Sequence, residues 1–133
     1  MVDQSNVSQD VCDAFAGVSA KTLRWAICKV DGSNIVLVKT APRESTLAEL
    51  NAELTNVPCF VVFDFEATRE DSSTICKTCF ICFSPDDCTS MQAKFELQNF
   101  KASVKAKINC QKEMQINDKA DLTESEFRDA FNL

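Results

Sequence analysis

Pro58-Cys59-Phe60-Val61-Val62-Phe63-Asp64-Phe65 is apolar at nearly every position, on both faces of an extended chain. A strand patterned this way tolerates water on neither side, so it belongs at the centre of a sheet covered by helices above and below. Upstream, Leu23, Trp25 and Ile27 alternate with Arg24, Ala26 and Cys28 in a strand from Thr22 to Val30. Asp31-Gly32-Ser33 then turns the chain into Asn34-Ile35-Val36-Leu37-Val38, which makes a hairpin. Earlier still, Ser8 reads as the N-cap of a first helix carrying Val11, Cys12 and Phe15, with Gly17 ending it. Between the hairpin and the central strand, Thr46-x-x-Glu49 is a capping box opening a short helix that turns Leu47, Leu50 and Leu54 inward.

Downstream, the polar run Glu66–Ser73 reads as a solvated hairpin loop leading into Ile75-Cys76-Lys77-Thr78-Cys79-Phe80-Ile81-Cys82-Phe83, a strand that Ser84-Pro85-Asp86-Asp87 terminates. Met91–Ile108 follows as a long helix. Ala93, Leu97, Phe100, Val104 and Ile108 fall on one stripe facing the core, Lys94, Lys101 and Lys105 line one flank, and Met91 and Phe95 look outward. Gln111–Ile116 suits a short polar edge strand. In the last helix, Thr123 and Glu126 form a capping box and Leu122 and Phe127 a hydrophobic staple. The order α-ββ-α-ββ-α-β-α predicts an α/β fold in which one mixed sheet lies between helices on both faces, a single domain over 1–133 with a flexible arm at 1–6.

Composition narrows function. The chain has 133 residues, 45% of them apolar, and a net charge of −6, which argues against nucleic-acid or anionic-membrane binding over a broad face. No apolar run approaches the ~18 residues of a membrane span, and the polar start Met1–Asn6 lacks the order of a signal peptide, so a cytoplasmic location is expected. The eight cysteines are expected to be free thiols. Cys76-x-x-Cys79-x-x-Cys82 resembles metal-ligand spacing, but three residues along a strand reverse the face, so neighbouring members cannot share one ion. An enzyme is not expected: there is no histidine, and the two glycines, Gly17 and Gly32, form no phosphate-cradling loop. No metal or cofactor is expected either.

Four segments together resemble the actin-depolymerising factor and cofilin family, that is, an ADF-homology domain. Val7–Phe15 is similar to the family's opening helix, and Cys59–Asp64 to its central strand ending in aspartate. Phe80–Asp86 is similar to its strand-to-helix junction, where tryptophan is usual at the Phe83 position. Ala93-Lys94-Phe95 stands where the family's long actin-binding helix begins with Ser-Lys-Met, and Glu113-Met114-Gln115 where it has Glu-Leu-Gln. The resemblance implies a monomeric, actin-binding protein of the cytoplasmic actin cytoskeleton that binds actin monomers and promotes filament turnover. Lys94 and Phe95 would enter an actin cleft, with Gln92, Gln98, Lys101 and the arm residues Gln4, Ser5 and Asn6 against the same surface. The family's filament-contacting surface maps to Lys77, Glu124 and Arg128; Ile75 replaces a basic residue there, which implies weak filament binding and severing. The family's arm phosphosite falls on Asp3, leaving Ser5 as the substitute. Lys94, Lys101, Lys105 and Lys107 are candidates for phosphoinositide headgroups. The competing expectation is a coactosin-like protein that binds filament sides without depolymerising them.

Overall fold

The computed structural model describes residues 7–32, 34–55, 57–86, 90–106 and 112–131. Its elements are α1 (Gln9–Ser19), β1 (Leu23–Asp31), β2 (Asn34–Pro42), α2 (Leu47–Glu53), β3 (Cys59–Thr68), β4 (Thr74–Phe83), α3 (Met91–Lys105), β5 (Lys112–Ile116), a single 3-10 turn (Lys119–Asp121) and α4 (Glu124–Ala130). The sheet order is β2-β1-β3-β4-β5, with β4 and β5 parallel and the other neighbours antiparallel. The two-sided apolar strand is therefore the middle one, as its composition requires.

Alternation along the strands builds two cores. Trp25, Ile27, Val61, Phe63, Phe65, Cys79, Ile81 and Phe83 point to one face, where Leu50 of α2, Leu54 just after it and Phe127 from α4 cover them. Ala26, Cys28, Phe60, Val62, Phe80 and Cys82 point to the other, beneath Val11, Phe15 and Val18 of α1 and Leu97, Phe100 and Val104 of α3. Each fully buried large side chain contributes about 1.5–3 kcal/mol by leaving water. Cys79 and Cys82 thus lie in different cores, the face reversal expected from their spacing. Among the described residues Cys12, Cys28, Cys59, Cys76, Cys79 and Cys82 are free thiols.

Several local expectations are corrected. Gly17 does not end α1, which runs on to Ser19; the left-handed turn that stops the helix falls on Lys21, at φ 68°. Gly17 is small for another reason, since a Cβ there would stand 2.9 Å from the Leu23 side chain. Ser8 occupies the N-cap position but its hydroxyl bonds Asp10 and caps no backbone N–H. Glu66–Thr68 belong to β3 rather than to the loop, pairing with Cys76–Thr74, and Ala67 is buried, so the loop shrinks to Arg69–Ser73. Thr46 and Thr123 do cap their helices, accepting from the N–H groups of Glu49 and Glu126. Ile108, Gln111 and Asp87 lie outside the described residues.

Candidate functional site

The two faces of α3 are chemically unlike. Ser90 caps the helix by accepting from the Ala93 N–H (3.1 Å), and Leu97, Phe100, Ser103 and Val104 are buried. Ala93, expected on the buried stripe, is only half-buried. On the opposite side, Met91 and Phe95 are 75% and 68% exposed, one helical turn apart. Two large apolar side chains side by side in water form a patch that folding does not explain.

The lysine row divides along the helix. Lys101 and Lys105 both reach Glu113 on β5, at 2.5 and 2.8 Å. Hydrogen bonds from Lys101 and Lys105 hold the Glu113 carboxyl below its usual range, against a smaller opposing effect of burial. Lys94, half-buried beside Phe95, makes no ion pair among the described residues. Gln92 bonds Glu96 along the helix (3.1 Å), and the Gln98 amide donates to Cys82 Sγ (3.5 Å). The front of α3 therefore carries the exposed apolar pair and an uncommitted cation, whereas the rear is tied to the sheet. Gln98 lies over Cys82, while Lys101 and Lys105 reach Glu113, which pairs with Phe80. Hence α3 runs antiparallel to β4, its first turns nearest the Phe83 end. The arm residues Gln4, Ser5 and Asn6, and Lys107, lie outside the described residues. The chain just after the arm is anchored to edge strand β2, where Val7 bridges Ile35 and the Ser8 N–H donates to its carbonyl (3.3 Å).

The second group of expected residues sits toward the other end of the sheet. Phe127 stacks on Phe65 (ring centroids 5.1 Å apart) and packs at a tilt on Phe63 (5.2 Å), which pins α4 to β3 and fixes where Arg128 emerges. Lys77 and Arg128 line one cleft of ≈ 610 Å³ with Arg69, Glu70, Asp71 and Phe131. Glu124 pairs with Arg128 at 3.4 Å but borders a separate, smaller hollow. Ile75 is half-buried against the core beneath α4.

Inspection of the sequence missed a highly connected polar group among the described residues. Asp64, fully buried, receives Lys21 Nζ at 3.2 Å on both oxygens and a short bond from Arg43, while Arg24 donates to its backbone carbonyl (3.0 Å). Arg43 also reaches Glu66 at 3.2 Å and Cys76 Sγ at 3.4 Å. The available signal was a single charge inside an apolar strand, which has to be paired. This network locks the turn after α1 and the segment after β2 onto the central strand.

The comparisons with known proteins agree with this architecture. The pattern of the family described as Cofilin/tropomyosin-type actin-binding protein matches residues 4–132. A two-layer helix covering of one mixed sheet is the class of fold this represents, and the chain belongs to that actin-binding family. An actin-depolymerizing factor of Brassica napus is 26% identical over 111 residues, covering 82% of this chain and 87% of the relative. The fold is similar to that of Streptomyces griseoflavus cofilin (TM-score 0.82, 17% identity, 93% of this chain and 96% of the other). It is also similar to that of human coactosin-like protein (TM-score 0.79, 21% identity, 95% and 96%). No helix among the described residues is long and apolar enough to cross a membrane.

Proposed function

We propose that the protein acts as an actin-depolymerising factor, binding actin monomers through the front of α3 and holding filaments more weakly. The observation that carries this reading is the exposed Met91–Phe95 pair beside Lys94, on a helix whose opposite face is packed into the core. An aromatic anchor flanked by a charge that loses its water on binding has the composition of an interface hot spot. Phe95 would fill an apolar pocket on actin and Lys94 would meet an acidic group at its rim. Gln92, Gln98 and the arm residues Gln4, Ser5 and Asn6 would border the same contact. Lys101 contributes mainly through Glu113, because leaving that pair to reach a partner costs one ion pair for each one gained.

Weak filament binding is favoured by Ile75, an apolar, half-buried side chain packed against the core where the resembling family has a cation. The chain works as a monomer in the cytoplasm. Phosphoinositides would be a minor partner, since Lys101 and Lys105 are already paired with Glu113. Phosphorylation of Ser5 would add about −2 charge to the arm and repel an acidic actin surface. Pelleting of polymerised actin at rising concentrations of the chain tests the reading: soluble actin should increase while little of the chain pellets. Saturable pelleting of the chain with unchanged soluble actin would instead support the coactosin-like alternative. No effect on either quantity would remove actin as the partner.

A further inference from the structure

We propose that Ser90 is a positioning residue for actin binding, one that holds the front of α3 in the shape that meets the partner without itself being the anchor. This rests on the actin-binding reading above and adds to it a residue outside the Ala93-Lys94-Phe95 match. The part of α3 that would bind is the part the core does not hold. Leu97 is the first buried side chain of the helix, and none of Met91–Glu96 is buried. Before the helix, the Ser84 N–H donates to the Ile116 carbonyl (2.9 Å) and the Asp86 N–H to the Asn117 carbonyl (2.8 Å), which ties the approach to α3 onto the end of β5. Between Asp86 and Leu97 the order of the front rests mainly on bonds local to the helix.

Ser90 makes two of these bonds. Its hydroxyl accepts from the Ala93 N–H (3.1 Å) and its carbonyl from the Lys94 N–H (3.3 Å). The first satisfies a donor that has no partner within the helix, which is the work of a cap. The Gln92 amide adds a bond to Glu96 (3.1 Å), a weak tie on an exposed face. No acidic residue stands in the first turn to meet the positive end of the helix dipole, and Lys94 brings a like charge toward it. Little else therefore compensates for the cap.

Without the hydroxyl, unwinding starts at Met91 and spreads inward, because each amide bonds the carbonyl four residues before it and the Phe95 N–H loses its partner once Met91 is free. Actin then meets a correctly shaped front in only a fraction of the molecules, and the apparent dissociation constant rises by the inverse of that fraction. Replacing a serine cap by alanine favours local opening by about fivefold. That factor is the ceiling on the loss of affinity from this cause.

The test is titration of labelled monomeric actin with S90A and S90N, beside hydrogen exchange and thermal unfolding of the free chains. S90A should weaken binding about two- to fivefold and speed exchange of the Ala93 and Lys94 amides, with little change in thermal midpoint because the buried stripe begins at Leu97. S90N, whose side-chain oxygen also caps, should recover most of both losses. Unchanged affinity in S90A overturns the proposal, whatever its exchange. A loss of affinity without faster exchange, or one that S90N leaves unrepaired, also overturns it, since the hydroxyl would then be a direct contact. Wild-type chain that fails to bind monomeric actin overturns the actin-binding reading itself, whereas wild type and S90A that bind equally overturn this proposal alone.

Discussion

Replacing Phe95 by alanine separates binding from folding more cleanly than any other single change. A phenylalanine side chain presents about 150–250 Å² when fully exposed. With 68% of the residue in water already, roughly 100–170 Å² is available for a partner to cover and little is contributed to the core. At about 25 cal/mol per Å² the upper limit on its contribution is roughly 2.5–4 kcal/mol. Ordering of the side chain and imperfect complementarity reduce this to about 2 kcal/mol, or roughly thirtyfold in dissociation constant. Stability should stay within about 0.5 kcal/mol of wild type, as for other exposed positions. Titration of labelled monomeric actin gives the first quantity, and denaturant unfolding followed by fluorescence of the sole tryptophan, buried Trp25, gives the second. A folded F95A chain with undiminished affinity would refute the assignment of this face.

Lys94→Ala should slow association and flatten its dependence on salt, which stopped-flow measurements at two ionic strengths would read. Asp64→Asn should lower stability by about 3 kcal/mol in urea unfolding, because Lys21 and Arg43 lose the carboxylate between them. That figure is at the low end for a buried pair, since Lys21 and Arg43 side chains keep 46% and 25% of their exposure. Glu113 has its folded-state pKa held below the ordinary value of 4.5, so its contribution is present above that pH and is lost as pH falls through the depressed value. Glu113→Gln should therefore destabilise at pH 7, and the gap to wild type should close progressively below about pH 4.5. Among the described thiols, half-buried Cys12 and Cys76 should react with a thiol reagent in the native state. Cys28 and Cys59 should react only on unfolding, as burial pushes both thiols up, Cys59 to about 12.

The layered fold was legible because burial writes a period into the chain. Cys59–Phe65 carries apolar residues on both faces because both faces are covered, and α3 carries them on one stripe because one side is. Helix starts were legible at Thr46 and Thr123, where a hydroxyl accepts from the backbone N–H three residues on. The stop of α1 was not, since Gly17 lies inside the helix against the Leu23 side chain, a contact made only after folding. The same distinction runs through the candidate site. Met91 and Phe95 could be placed outward by counting around a helix. That Lys101 and Lys105 are committed to Glu113 while Lys94 is not depends on where β5 returns. The cleft holding Arg69 with Lys77 and Arg128 depends on where α4 docks. Neither relation is local in sequence, and no periodicity encodes it.

The most direct test of the account is hydrogen exchange along the chain with and without a saturating amount of monomeric actin. Backbone amides of Met91–Gln98 should gain protection, while the Arg69–Ser73 loop should exchange as in the free chain. A complex that forms with no added protection over Met91–Gln98 would contradict the claim that the front of α3 meets actin.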